Sequence, residues 1–254
     1  MKKSIAVVLI CLTCMIPAFS NGQKESATKS YVFASDCTWP PLEFVDEHGE
    51  IVGFEIDLIK EFSAMTGIPM TSRNVAWDGI FAGLMNGMYD AVASGVSVTE
   101  ERKATMDFST PILLVTQSIL SMSGETDQAS IEDLAGKRVG VQIGTTGNFA
   151  LEARTDLAIQ VKAYDEIPLA VEDLINGTLD AVVCDSLIAS DFVLSNENYK
   201  GKLEVTGTAS SDIEEIAMCV KKGNTELLTI INDCIAKLQA NGKMDELKAK
   251  WNLI

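Results

Sequence analysis

Apolar positions along the chain recur with two alternating periods, and each change of period marks a predicted element. Tyr31-Val32-Phe33-Ala34-Ser35 is a short β-prone run and predicts a strand. Leu42-Glu43-Phe44-Val45, followed by the polar turn Asp46-Glu47-His48-Gly49, predicts a hairpin-like return. Phe54, Leu58, Ile59, Phe62 and Met65 fall at helical spacing, and Gly67 stops that helix. Asp78 is expected to cap a second helix reaching Asn86, with Gly87 at its end. Asp90-Ala91-Val92-Ala93-Ser94 predicts a short strand, and residues 112–122 form a long apolar, β-rich run.

A second set of elements begins at Ser130, which has capping-box spacing to Asp133. Arg138-Val139-Gly140-Val141 predicts a strand running into Gly144-Thr145-Thr146-Gly147 and a helix. A strand over 159–164 precedes a helix to Ile175, and Asp180-Ala181-Val182-Val183-Cys184 predicts a buried strand. Residues 202–206 predict another strand. Leu227, Leu228, Ile231, Ile235 and Leu238 mark one face of a C-terminal helix ended by Gly242. Strands alternating with helices imply an α/β fold with largely parallel sheets.

One hexapeptide pattern occurs twice. Gly87-Met88-Tyr89-Asp90-Ala91-Val92 echoes Gly177-Thr178-Leu179-Asp180-Ala181-Val182. Each copy leaves a helix at a glycine and enters a strand through Asp-Ala-Val, so two similar α/β lobes are expected. Ligands of open α/β sheets sit beyond the carboxyl ends of the strands. That rule points to Asp36, to Ser94-Gly95-Val96-Ser97, to Gly144-Thr145-Thr146 and to Asp185.

Composition narrows the classes. A length of 254 residues is one large domain or two modest ones. With 47% hydrophobic and 22% charged residues, disorder and coiled coil are excluded. The net charge is −16 and no basic block exists, which argues against a nucleic-acid partner. His48 is the one histidine, so multi-histidine metal centres and histidine relays have little to work with. No cofactor and no metal are expected.

Lys2 and Lys3 precede the apolar run Ile5 to Leu12, and Ala18-Phe19-Ser20 offers a small-residue exit. This describes a secretory signal peptide over 1–20, with a linker over 21–28. The apolar core is too short for a membrane span. Cleavage after Ser20 is the first expectation and lipidation at Cys14 the second. Removing 1–20 deletes two lysines and no acid, so the charge becomes −18. Four cysteines remain, Cys37, Cys184, Cys219 and Cys234, with no close pair that signals zinc or redox chemistry. Small buried hydrophobes is the expected role.

Several of these segments together resemble a known family. Asp36 to Phe44, ending Trp39-Pro40-Pro41-Leu42-Glu43-Phe44, is similar to the opening of the family 3 bacterial solute-binding proteins, the amino-acid receptors of ABC importers. Gly53-Phe54-Glu55-Ile56-Asp57-Leu58, Trp77-Asp78-Gly79-Ile80, Ser97-Val98-Thr99-Glu100-Glu101-Arg102-Lys103 and Asp107-Phe108-Ser109 follow in order. Gly136 to Val141, Gly144-Thr145-Thr146, Asp180 to Asp185 and Asn241-Gly242-Lys243-Met244 through Trp251 complete it. Each motif alone is weak; their order over residues 30–252 is strong.

The resemblance implies a two-lobed type II periplasmic-binding-protein fold with a ligand cleft between lobes. Lobe 1 would be discontinuous, 29–112 and 212–254, and lobe 2 would span 117–207. Hinge crossings would fall at 113–116 and 208–211. Further implications are a periplasmic location, a free amino acid as ligand, an inner-membrane ABC permease as partner, and a monomer.

A free amino acid carries a carboxylate and an ammonium, so its receptor needs a fixed cation, a fixed anion and backbone dipoles. Arg102 matches the family's carboxylate-binding arginine, because guanidinium holds carboxylate bidentately. Backbone N–H groups of Ser97 and Thr146 are expected to share that carboxylate. The glycine-threonine turn lacks the lysine of a nucleotide loop, so ATP is not indicated. Asp185 is expected to receive the ammonium, helped by Ser94, Gly95 and Ser97; a plain helix cap before Leu187 is its other reading. Side-chain selection falls to Asp36, Trp39, Trp77 and Gln142, with the two tryptophans at the positions of aromatics that sandwich the ligand. Two indoles and a carboxylate suit a basic side chain, so arginine or lysine is favoured over glutamine or histidine. A sensor or surface protein on the same fold is the alternative, and an exported dehydratase-type enzyme a more distant one, since no nucleophile–base pair stands out.

Overall fold

A computed structural model of the chain describes residues 29–253. The expected signal peptide, the linker and Cys14 lie outside the described residues. Strand β1 (Tyr31–Ser35) opens the first lobe, and Phe33 and Ala34 in it are fully buried. A small antiparallel sheet follows, formed by β2 (Thr38–Trp39), β3 (Glu43–Val45) and β4 (Ile51–Val52). This is the expected hairpin return, turned at Asp46, whose carboxylate accepts the N–H groups of His48 and Glu50. Helix α1 (Phe54–Thr66) buries Phe54, Leu58, Ile59 and Phe62, the face that the spacing marked, and ends at Gly67.

β5 (Met70–Asn74) then leads to α2 (Ile80–Met85). The expected cap at Asp78 is corrected here. Gly79 holds the N-cap position and no side chain bonds to the helix end. Asp78 stands one residue before the position from which a side chain caps the first turn. β6 (Ala91–Val92), the single-turn helix α3 (Glu100–Lys103) and β7 (Met106–Phe108) complete this stretch.

The ten-residue β8 (Leu113–Met122) carries the chain into the second lobe. The Ser130–Asp133 capping box is formed at the head of a short 3-10 turn. β9 (Arg138–Gln142), α4 (Thr146–Glu152), β10 (Gln160–Tyr164), α5 (Ile167–Ile175), β11 (Ala181–Asp185) and α6 (Ser186–Leu194) follow in the expected alternation. β12 spans Leu203–Ile216, ten residues beyond the expected end at Thr206. Its sequence there is polar, and pairing with β8 rather than its own periodicity holds it extended. β13 (Cys219–Lys221), α7 (Thr225–Ala240) and α8 (Lys243–Lys250) return to the first lobe.

Two five-stranded sheets result, in the orders β5-β1-β6-β13-β7 and β10-β9-β11-β8-β12. In each, three neighbouring strands run parallel and the next two pairings are antiparallel. The duplicated hexapeptide takes the same place in both. Gly87 and Gly177 both turn at φ 72. Tyr89 and Leu179 are both buried. Asp90 Oδ2 accepts the N–H of Val32 at 2.8 Å, and Asp180 Oδ2 accepts that of Arg138 at 2.8 Å. Each aspartate thus satisfies a backbone donor at the start of the neighbouring strand, which gives the repeated Asp a physical reason. The architecture is a two-lobed α/β fold. No described helix is long and apolar enough to cross a membrane. Cys37, Cys184, Cys219 and Cys234 are all free and buried.

Candidate functional site

The carboxyl ends of β1, β6, β9 and β11 converge, and each delivers polar side chains to one cleft. Asp36 follows β1, Ser94 and Gly95 follow β6, Gln142 ends β9 and Asp185 ends β11. The cleft holds about 320 Å³ of space when the part open to solvent is counted. Its lining is Asp36, Trp39, Trp77, Ser94, Gly95, Ser97, Arg102, Gln142, Thr145, Thr146 and Asp185. All ten residues expected from the sequence are therefore brought together, with Thr145 added.

Arg102 is the one cation in that lining. It sits on the single-turn helix α3, where Thr99 Oγ1 accepts its backbone N–H at 3.1 Å. Its guanidinium donates to Ser97 O at 2.8 Å and, across the cleft, to Gly144 O at 3.2 Å. The group lies 5.5 Å from the Trp77 ring centroid and 5.1 Å from that of Phe81. These rings hold it by cation–π attraction and exclude water. Burial lowers its pKa, while Asp185 and Glu214 pull upward; guanidinium remains charged.

The acidic groups stand opposite. Asp185 occupies the N-cap position of α6 but makes no side-chain cap bond. Its Oδ1 instead accepts from Gln117 Nε2 at 2.7 Å, which removes the plain-cap reading. Burial lifts its pKa to about 7, and nearby Glu214 adds to the rise. Asp36 Oδ2 accepts from Gln142 Nε2 at 2.8 Å, and its Oδ1 from Thr38 Oγ1 at 3.0 Å. Burial pushes this carboxyl up too, against the lowering effect of those bonds. Trp39 and Trp77 both line the cleft. A Cβ at Gly95 would stand 3.0 Å from Trp39 Nε1, and the φ of +57° there suits glycine, so this turn lets the indole approach.

Contacts that cross the cleft include Arg102 to Gly144, Gln142 to Asp36, and Ser97 Oγ to Thr146 Oγ1 at 3.5 Å. The cleft is held closed. At its glycine-threonine turn, Thr145 Oγ1 caps α4 by accepting the N–H of Asn148 at 3.2 Å.

Several residues at the site were not reached from the sequence. Gln117, 1% exposed on β8, brings Nε2 within hydrogen-bond distance of Asp185, Thr146 and Glu214. Glu214 on β12 also accepts from Thr146 Oγ1 at 2.7 Å. Phe81 packs edge-on to Trp77, with ring centroids 5.1 Å apart; its spacing four residues on, within the helix-bound segment, was an available signal. Behind the first-lobe wall, Glu43 and Glu55 are fully buried. Ser94 Oγ donates to Glu43 Oε1 at 3.1 Å and accepts the N–H of Asp36 at 2.8 Å. Burial raises both glutamates, Glu43 further through the neighbouring Glu55, and brings Glu55 to about 8. Both are among the family-like motifs, yet nothing in their spacing marks them as buried.

Among the described residues no group of three or more histidine, cysteine or acidic side chains could hold a metal ion. The chemistry present is that of recognition: one cation, buried carboxylates, indole faces and hydroxyls.

Comparison with known proteins agrees with this chemistry. Residues 31–254 match the bacterial extracellular solute-binding proteins, family 3. The chain is 31% identical over 258 residues to a probable histidine-binding protein of Neisseria gonorrhoeae, covering 99% of this chain and 96% of that one. It is 34% identical over 232 residues to the L-cystine-binding protein TcyJ of Escherichia coli strain K12, covering 91% and 85%. Among solved structures, the arginine-, lysine-, histidine-binding protein ArtJ of Geobacillus stearothermophilus superposes with a TM-score of 0.79 at 33% identity, covering 88% and 95%. These relatives are named for the amino acids they bind and not for a reaction. The chain belongs to family 3 of the bacterial extracellular solute-binding proteins and is a binding receptor rather than an enzyme.

Proposed function

We propose that this family 3 receptor binds one free amino acid with a polar, basic side chain, arginine or lysine ahead of glutamine or histidine, and hands it to an ABC permease. The observation that carries the reading is the charge pattern of the cleft: Arg102 alone against Asp36 and Asp185. In this reading Arg102 takes the α-carboxylate, with the N–H groups of Ser97 and Thr146. Asp185 takes the α-ammonium, with Ser94 and Gly95. Asp36 meets the distal cation, Gln142 positions it, and Trp39 and Trp77 flank the aliphatic stem. A zwitterion neutralises Arg102 and Asp185, which leaves Asp36 for one more positive charge. An acidic side chain would find no second cation there. The names of the histidine-binding relative and of ArtJ support a basic or imidazole side chain.

Family membership supports the wider setting that we propose. The protein acts outside the cytoplasm as a monomer, with lobe 1 over 29–112 and 212–254, lobe 2 over 117–207, and hinges at 113–116 and 208–211. The paired strands β8 and β12 run through both proposed hinges, which supports that division.

Calorimetric titration of unfolded and refolded, ligand-free protein with the twenty amino acids and cystine tests the proposal. Tight binding of arginine or lysine is the expected result. Tight binding of an uncharged amino acid or of cystine would keep the receptor and remove the role given to Asp36. Binding of none would overturn the ligand class.

A further inference from the structure

Strand β12 does not pair evenly with β8. Ser210 stands opposite Gln117, and the next paired residue, Glu214, stands opposite Val115. Three residues, Ser211 to Ile213, therefore bulge against one, and Ile213 is 71% exposed. Bulges re-aim the side chains beside them. Here the residue after the bulge is Glu214, and its carboxylate reaches back to Thr146 in the cleft lining and to Gln117. Oε2 accepts from Thr146 Oγ1 at 2.7 Å, and Oε1 accepts from Gln117 Nε2 at 3.1 Å.

The donor arithmetic is tight. Gln117 Nε2 carries two hydrogens and has three acceptors in range: Asp185 Oδ1 at 2.7 Å, Glu214 Oε1 at 3.1 Å and Thr146 Oγ1 at 3.2 Å. Charged acceptors outcompete a neutral hydroxyl, so the two carboxylates take the two hydrogens. The single hydrogen of the Thr146 hydroxyl goes to Glu214. Its lone pairs are then left for a donor, and Ser97 Oγ, on the other lobe, lies 3.5 Å away. A directed chain from Ser97 to Thr146 to Glu214 runs across the closed cleft.

We propose that Glu214 and Gln117 are positioning residues for the ammonium end of the site, coupling the bulged inter-lobe strand to Asp185 and Thr146. The inference rests on Asp185 as the ammonium receptor. Gln117 holds the two carboxylates on one amide, so that each feels the other's charge. Glu214 fixes the direction of the Thr146 hydroxyl and so the closure contact with Ser97. The groups around Asp185 are Gln117 from β8, Glu214 from β12, Thr146 from α4 and Arg102 from α3, with Cys184 preceding it in β11 and Glu43 across the cleft. Among these, the Glu214 charge pushes the Asp185 pKa up and the Arg102 charge pulls it down.

Glu214→Gln tests this, because it keeps the shape and removes the charge at a half-buried position. The first readout is carbon-detected NMR titration of the Asp185 carboxyl in ligand-free protein. Its midpoint is expected to move to lower pH in the variant, since a neighbouring negative charge has gone. The second is calorimetry with the amino acid bound by the wild type, where affinity is expected to fall about tenfold, the difference between charge-assisted and neutral bonds. An unchanged Asp185 midpoint with affinity within about twofold would overturn the inference while leaving the receptor intact. Wild-type protein that binds no amino acid, with the Asp185 midpoint unmoved in the variant, would overturn both.

Discussion

The strands that hold the second place in each sheet order, β1 and β9, reach the cleft with different equipment. β1 runs into Asp36 and Trp39, and its lobe adds Trp77, Ser94, Gly95, Ser97 and Arg102. β9 runs into Gln142, Thr145 and Thr146, and its lobe adds Asp185. The strand orders are equivalent and the duplicated hexapeptide is seated alike, so the scaffold does not explain the difference. Division of labour does. The first lobe holds the cation and the two indoles, with Asp36, Ser94 and Ser97; the second holds Gln142, two threonine hydroxyls and Asp185. A charge needs its partner most when water is removed, and water is removed only when the lobes meet. Neither lobe alone makes a site, which ties binding to closure.

The comparison breaks most severely at Arg102. Arg102→Ala removes the only lining cation and the bond to Gly144, and affinity is expected to drop about 100-fold or more. Charge-assisted bonds contribute roughly 1.5–3 kcal/mol each, and about 1.4 kcal/mol is tenfold. Calorimetry measures it, and an unchanged Kd would remove Arg102 from the site.

Second in size is the pH response of the other lobe. The Asp185 carboxyl titrates at about 7 in the free cleft, and an ammonium partner favours its ionised form. Below about 7 the ligand must displace a proton, so affinity is expected to weaken up to about tenfold per pH unit and to level off above 7. Asp185→Asn is expected to bind weakly with that slope gone. Titrations from pH 5 to 8 read both, and a slope that survives the substitution would assign the proton elsewhere.

Asp36→Asn sharpens the comparison by ligand. Arginine affinity is expected to fall roughly tenfold, the loss of a charged partner, and glutamine affinity to change little. Equal losses for both would show that Asp36 shapes the wall rather than reading charge.

The last effect falls on folding rather than on binding. Glu55 has a folded pKa of about 8 against an ordinary 4.5. The folded state then holds a proton that the unfolded chain releases, so stability is greatest below about 4.5 and declines as pH rises towards 8. The decline is below about 1.4 kcal/mol per pH unit for one such group. Glu55→Gln is expected to lessen it in urea unfolding at pH 5 and pH 8, with the buried Glu43 keeping the rest of the slope. A wild-type curve already flat over that range would mean Glu55 is ionised when buried.

Most elements were legible because burial imposes periodicity. Phe54, Leu58 and Phe62 mark α1, and the two Asp-Ala-Val copies mark equivalent strands. The ten lining residues were legible because strand ends face the cleft and the family-like motifs stand in order. Asp78 misled, since capping depends on one residue of offset that periodicity does not resolve. The far half of β12 was invisible, because its polar residues are strand only through pairing with β8. Gln117 and Glu214 lie 97 residues apart and share no motif; a bulge brings them together.

The sequence by itself determined the alternation of elements, the paired lobes, the family and the residue types that line the cleft, because each is written in local spacing or in ordered motifs. Only the tertiary structure decided which carboxylates share a donor, which acids are sealed from water and how the lobes meet. Those are properties of distance and desolvation between segments far apart in the chain, and no local pattern encodes them.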